Sequence, residues 1–130
     1  MGDPPVVLLV DDEPRMLSAL QRTLRREGWS IDTARDASEG LARLASAPSV
    51  SVLVSDHKMP GMSGIEFLAE AKSSYPGTAR ILLSGFTGEI PSEALARAGV
   101  TAILSKPWDN AELKASIHAA VRAATELGAT

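Results

Sequence analysis

The sequence predicts an α/β fold: one parallel sheet with helices on both faces. Three observations predict it. Short apolar runs recur along the chain. Each is followed by a stretch with helical spacing of its apolar residues. The connections between them are short, and strict alternation of this kind implies a parallel sheet covered on both sides. The 130 residues fit one domain, residues 1–130, with a core over about 5–125. A chain of this length buries roughly two thirds of its unfolded surface and needs no staples.

The elements follow in order. Val6 to Val10 is apolar on both faces and reads as a buried parallel strand. Pro14 suits the first turn of a helix, Leu17, Leu20 and Leu24 form its inner face, and Gly28 closes it. Ser30 to Ala34 is a second, weaker strand. Asp36 with Glu39 caps a helix carrying Leu41, Leu44 and Ala45. Val50 to Val54 is the third strand, ending at Ser55-Asp56. Met59-Pro60-Gly61-Met62 is a loop by its turn residues. Ser63 and Glu66 form a capping box for a helix to about Ser74, which Tyr75-Pro76-Gly77 breaks. Arg80 to Ser84 is the fourth strand, and Gly85 to Pro91 is a loop. Ser92 to Ala98 is a short helix closed by Gly99. Ala102 to Ser105 is the fifth strand. Asp109 and Glu112 cap a last helix with Leu113, Ile117, Ala120, Val121 and Ala124 on its apolar face. Residues Glu126 to Thr130 are expected to fray.

Composition narrows the function. Thirteen basic against sixteen acidic residues give a net charge of -3, without the basic stripe of a direct nucleic-acid binder. The absence of cysteine excludes disulfides, thiolate metal sites and a cysteine nucleophile. No apolar run approaches the ~20 residues of a membrane span, and the N-terminus lacks a signal-peptide pattern. The expected location is the cytoplasm.

In an open parallel sheet, ligands sit beyond the carboxyl ends of the strands. Asp11, Asp12 and Glu13 follow the first strand, Asp56 the third, Ser84 ends the fourth, and Lys106-Pro107 follows the fifth. Carboxylates packed this closely repel one another, and a divalent cation relieves the repulsion. Magnesium suits oxygen ligands and keeps waters and a phosphate in its shell. An aspartate carboxylate can accept a phosphoryl group covalently. A lysine and a hydroxyl opposite would bind the phosphoryl oxygens. The residues point to a magnesium-dependent aspartyl phosphate.

Asp11-Asp12, Asp56 with Met59-Pro60-Gly61-Met62-Ser63-Gly64, Ser84 and Lys106-Pro107 together resemble the response-regulator receiver domain of two-component signalling. The resemblance covers essentially the whole chain. It implies a flavodoxin-like (βα)5 fold with strand order 2-1-3-4-5. It implies Asp56 as phosphoacceptor, and Asp11, Asp12, Asp56 and the backbone carbonyl of Lys58 around Mg2+ or Mn2+. Ser84 matches the switch hydroxyl and Lys106 the lysine that pairs with phosphate. Lys106-Pro107 becomes a candidate cis peptide. The segments His57 to Met62, Arg80 to Phe86 and Lys106 to Asp109 are similar to receivers attached to HD-GYP phosphodiesterases, or to certain kinases and transcription activators.

The resemblance implies a histidine kinase as donor and a changed protein–protein contact as output. That output is an effector or C-terminal module, or a homodimer through the fourth helix, fifth strand and fifth helix. No external metabolite is turned over. Lys58 and Phe86 stand where receivers tune hydrolysis. Ile103 departs from the pattern, which usually has Tyr or Phe there, and this motivates an alternative: an interaction module whose switch is uncoupled from phosphorylation. Trp108 or Phe86 could report the switch instead. A phosphatase with an aspartate nucleophile would carry a second acid at position 58, where Lys58 stands. A flavodoxin-like cofactor protein would need a phosphate cradle that Asp11-Asp12-Glu13-Pro14 lacks. His57 is expected to point away from Asp56 by strand alternation. His118 is expected at the surface or partly packed, Trp29 packed near a helix end, and Trp108 as a loop anchor against the last helix.

Overall fold

A computed structural model of the chain describes residues 4–46, 49–85 and 90–128. The elements run β1 (Val6–Val10), α1 (Pro14–Leu24), β2 (Ser30–Ala34), α2 (Ala37–Ser46) and β3 (Val50–Asp56). They continue with α3 (Gly64–Ser74), β4 (Ala79–Ser84), α4 (Ser92–Ala98), β5 (Ala102–Ser105) and α5 (Asn110–Gly128). The strands form one sheet of order β2-β1-β3-β4-β5, and every pairing is parallel. This is the flavodoxin-like order.

Strand alternation divides the core in two. Val7, Leu9, Val52, Val54, Ile81, Leu83 and Leu104 meet Leu17, Leu20 and Leu24 of α1 and Leu113, Ile117 and Ala120 of α5. Leu8, Val10, Leu53 and Leu82 meet Leu44 of α2, Phe67, Leu68 and Ala71 of α3, and Ala98 of α4. The central strands are apolar on both faces because both faces are covered. Each fully buried Leu, Ile or Phe contributes about 1.5–3 kcal/mol relative to exposure.

The local signals operate as chemistry. Ser63 Oγ accepts from the Glu66 amide at 3.3 Å, and Glu66 Oε1 accepts from the Ser63 amide at 3.1 Å, a complete capping box. Asp36 Oδ1 accepts from the Glu39 amide, and Asp109 Oδ1 from the Glu112 amide. Gly64 has a spatial reason. A Cβ there would collide with the Asp56 carbonyl oxygen, so α3 can start against the end of β3 only without a side chain.

Three expectations need correction. Helix α1 stops at Leu24 rather than at Gly28: Gly28 does take φ +89, but within the turn that leads into β2. Ala45 is exposed, and the inner face of α2 is Ala37, Gly40 and Leu44. The third strand ends at Asp56 as expected, with Ser55 and Asp56 still paired to β1 or β4. The fourth strand begins at Ala79, which pairs with Val52. The expectations for Phe86 and for the side chains beyond Ala123 lie outside the described residues.

Candidate functional site

The parallel topology brings the carboxyl ends of β1, β3, β4 and β5 to one edge. Asp11 leaves β1 with 1% of its surface exposed, and Asp56 ends β3 at 8%. The Glu13 amide donates to Asp11 Oδ1 at 2.9 Å, fixing that carboxylate. The His57 amide donates to Asp56 Oδ1 at 2.9 Å. Ligand oxygens of Asp11, Asp12 and Asp56 lie within 4.8 Å of one another.

One cation serves two of these carboxylates. Lys106 Nζ lies 2.9 Å from Asp56 Oδ1 and 3.1 Å from Asp11 Oδ2. Burial works against the ammonium, yet its bonds to Asp56 and Asp11 overcome that and hold its pKa above the ordinary value. Asp11 answers differently. Burial raises its pKa above the usual carboxylate range despite the Glu13 amide and Lys106. Three carboxylates around one ammonium leave the site short of positive charge.

Magnesium fits that requirement. The donor set is oxygen only, as a hard cation needs, and one lysine leaves the acidic group incompletely neutralised. Asp12, Glu13, Asp56, His57, Lys58, Ser84, Gly85 and Lys106 line a depression of about 220 Å3. This is room for a phosphoryl group and a few waters.

The other sequence-predicted residues fall at varied distances from this centre. The Lys106-Pro107 bond is cis. Pro107 is exposed, and Trp108 packs partly against the α1–α5 core, its Nε1 donating to Asn110 Oδ1 at 3.0 Å. Both line an apolar depression of about 580 Å3 with Met16 and Ala19 of α1. Ile103 is half-buried on the opposite face, against the cluster that holds α4, and does not line the acidic depression.

The His57 amide donates to Leu83 O at 3.0 Å, so the ladder runs on past Asp56, and the same amide reaches Asp56 Oδ1 at the wall of the depression. Among the described residues the buried Nδ1 of His57 has no hydrogen-bond partner. The ion cluster of Glu27, Lys114 and His118 on the α1–α5 side carries no local sequence signal. His118 Nε2 meets Glu27 Oε1 at 2.8 Å, and its ring lies 4.5 Å from that of Trp29.

With this geometry in view, the comparisons with known proteins decide the family. The response regulator receiver domain model matches residues 7–118. The chain belongs to the receiver domain family. It is therefore a phosphoacceptor switch of two-component signalling, and histidine kinases are the partners of such domains. The chain is 40% identical over 118 residues to the hydrogenase transcriptional regulatory protein HoxA of Cupriavidus necator, covering 90% of this chain and 24% of that protein. It is 37% identical over 119 residues to the transcriptional regulatory protein GlrR of Escherichia coli, covering 91% and 26%. The chain thus spans about a quarter of the length of these relatives.

Solved structures agree. A signal receiver domain of an HD domain-containing protein from Pseudomonas fluorescens Pf-5 superposes with a TM-score of 0.86 at 33% identity, covering 97% of this chain and 93% of that one. The response regulator protein TrrA of Thermotoga maritima, in complex with Mg(2+)-BeF, gives a TM-score of 0.81 at 28% identity, covering 89% and 98%. Among the described residues of the present receiver, no helix is long and apolar enough to cross a membrane.

Proposed function

We propose that Asp56 is the phosphoacceptor of this receiver and that a histidine kinase is its donor. The observation that carries the reading is the bridge of Lys106 between Asp56 and Asp11 at 2.9 and 3.1 Å. It supports a centre in which an ammonium and a cation flank one carboxylate, with Ser84 at the rim. A carboxylate oxygen of Asp56 attacks phosphorus. An O–P bond forms, the P–N bond of the phosphohistidine breaks, and the electron pair leaves with the imidazole nitrogen. Asp11, Asp12, Asp56 and the backbone carbonyl of Lys58 would hold Mg2+. Bound there, the ion offsets charge on the transferring phosphoryl oxygens. Lys106 pairs with one phosphoryl oxygen and the Ser84 hydroxyl donates to another. Hydrolysis by water returns the carboxylate and releases inorganic phosphate. Lys58, at the edge of the depression, tunes that step, together with Phe86.

The added charge of about -1.5 to -2 draws Ser84 and the segment after it inward, and this biases the surface of α4, β5 and α5. The output is a changed protein contact: a homodimer through that surface, or an effector module. The relatives named above are transcriptional regulators, and one structural neighbour is the receiver of an HD domain-containing protein. Either module type fits the receiver. Residues 1–130 act as one domain in the cytoplasm.

Phosphotransfer from a labelled histidine kinase domain tests the reading. Label passes to the wild-type chain and not to Asp56→Asn. Equal label on both places the acceptor elsewhere. A second reading rests on Ile103, which has neither ring nor hydroxyl: the site accepts phosphoryl, but the output surface does not respond. An oligomeric state and α4–α5 amide spectrum unchanged by phosphorylation would favour it.

A further inference from the structure

We infer that Arg80 fastens the C-terminal end of α4 and makes that end the fixed point about which α4 responds to the acidic site. Arg80 is the second residue of β4 and is 9% exposed. Among the described residues no carboxylate pairs with it. Its guanidinium is spent on neutral carbonyls. Nε donates to Ala98 O at 3.0 Å and to Gly99 O at 3.1 Å, and Nη1 donates to Thr78 O at 2.6 Å.

The recipients are specific. Ala98 is the last residue of α4 and Gly99 is its cap. The last carbonyls of a helix have no partner within it, and the negative end of its dipole lies there. A buried cation aimed at those oxygens satisfies both. Gly99 is constrained to fit, with φ +60 and a position where a Cβ would come within 2.9 Å of Arg80 Nη2. The backbone adds two further bonds. Thr101 N donates to Arg80 O at 2.6 Å, and Arg80 N donates to Thr101 Oγ1 at 3.1 Å.

Among the described residues, the other end of α4 has no comparable side-chain hydrogen bond. Its N-cap is Pro91, which makes no side-chain cap bond. That end follows the segment leaving Ser84. β4 therefore carries Ser84 at the acidic edge and Arg80 at the far edge, with α4 returning from one to the other. A displacement near Ser84 reaches the N-terminal end of α4 first and turns the helix about its C-terminal end. The anchoring half of this inference stands independently of phosphorylation, and the response half rests on Asp56 as acceptor.

Amide hydrogen exchange tests the anchor. The Leu95 amide bonds Pro91 O, and the Val100 amide bonds Leu95 O. In the wild type, Val100 should exchange roughly tenfold more slowly than Leu95. Arg80→Lys keeps the charge but loses the fork. It should close that gap while Leu8 and Leu9 of β1, which report global opening, stay unchanged. Arg80→Met should do the same where it folds. Equal rates at Leu95 and Val100 in the wild type, or a gap that survives Arg80→Lys, overturn the inference.

Phosphorylation supplies the second arm, with the adduct confirmed by intact mass. Amide shift changes should concentrate in Ser92–Leu95 and be small in Ala98–Thr101. Arg80→Lys should spread them to both. An even distribution in the wild type contradicts the fixed point. Absence of any adduct instead counts against Asp56 as acceptor and leaves the exchange gap to decide the anchor.

Discussion

The two edges of the sheet solve charge in opposite ways. At the carboxyl edge, three carboxylates converge and Lys106 serves two of them. At the amino edge, the buried Arg80 is satisfied by neutral carbonyls. The first edge keeps unrelieved negative charge, and the second keeps none to spare. The lesson is that one is built for a ligand and the other for the fold. Functional edges store unfavourable electrostatics that stability alone would remove.

The largest expected effect breaks the acidic edge. Lys106→Met removes the cation between Asp11 and Asp56, and the rate of phosphoryl uptake should fall by about 10²-fold or more, followed by intact mass over time. An unchanged rate would mean that Lys106 is only a structural counter-charge.

Next comes a pair of substitutions with opposite signs. Arg80→Met strands the carbonyls at the end of α4 and should cost about 1–3 kcal/mol in denaturant unfolding. Asp11→Asn should instead raise the Tm of the metal-free protein and weaken its response to magnesium. The sign follows from the raised Asp11 pKa. The folded state binds that proton more tightly than the unfolded chain, so ionised Asp11 penalises the fold at neutral pH. The penalty fades as pH falls toward the ordinary value of 3.8, and the gain from Asp11→Asn should fade with it. A loss of stability on Asp11→Asn would erase the contrast between the edges.

Ser63→Ala at the start of α3 should cost about 1 kcal/mol, as loss of an N-cap does. The smallest effect belongs to Glu27→Gln. His118 first, and Lys114 after it, lower the Glu27 pKa. Its contribution is present above the ordinary value of 4.5 and is lost as pH falls below it. Thermal scans at low salt should show a slight loss at neutral pH that vanishes in acid.

Much of this was legible in the sequence, for a physical reason. A parallel sheet aligns the carboxyl ends of its strands, so Asp11, Asp56, Ser84 and Lys106 could be gathered from strand boundaries alone. The capping box at Ser63 is local and was read correctly. What escaped was non-local. Arg80 was read as the start of a strand, since its partners Ala98 and Gly99 lie 18 and 19 residues on. Glu27 and His118 are 91 residues apart and meet only once α5 packs beside α1. Helix α1 ended early because Gly28 belongs to the turn.

Intact mass after incubation with a small acyl phosphate and magnesium shows whether Asp56 is the acceptor in a magnesium-dependent centre. One phosphoryl group should add to the wild type, and none to Asp56→Asn or with a chelator present. An adduct that persists in Asp56→Asn, or that forms equally without the metal, would contradict it.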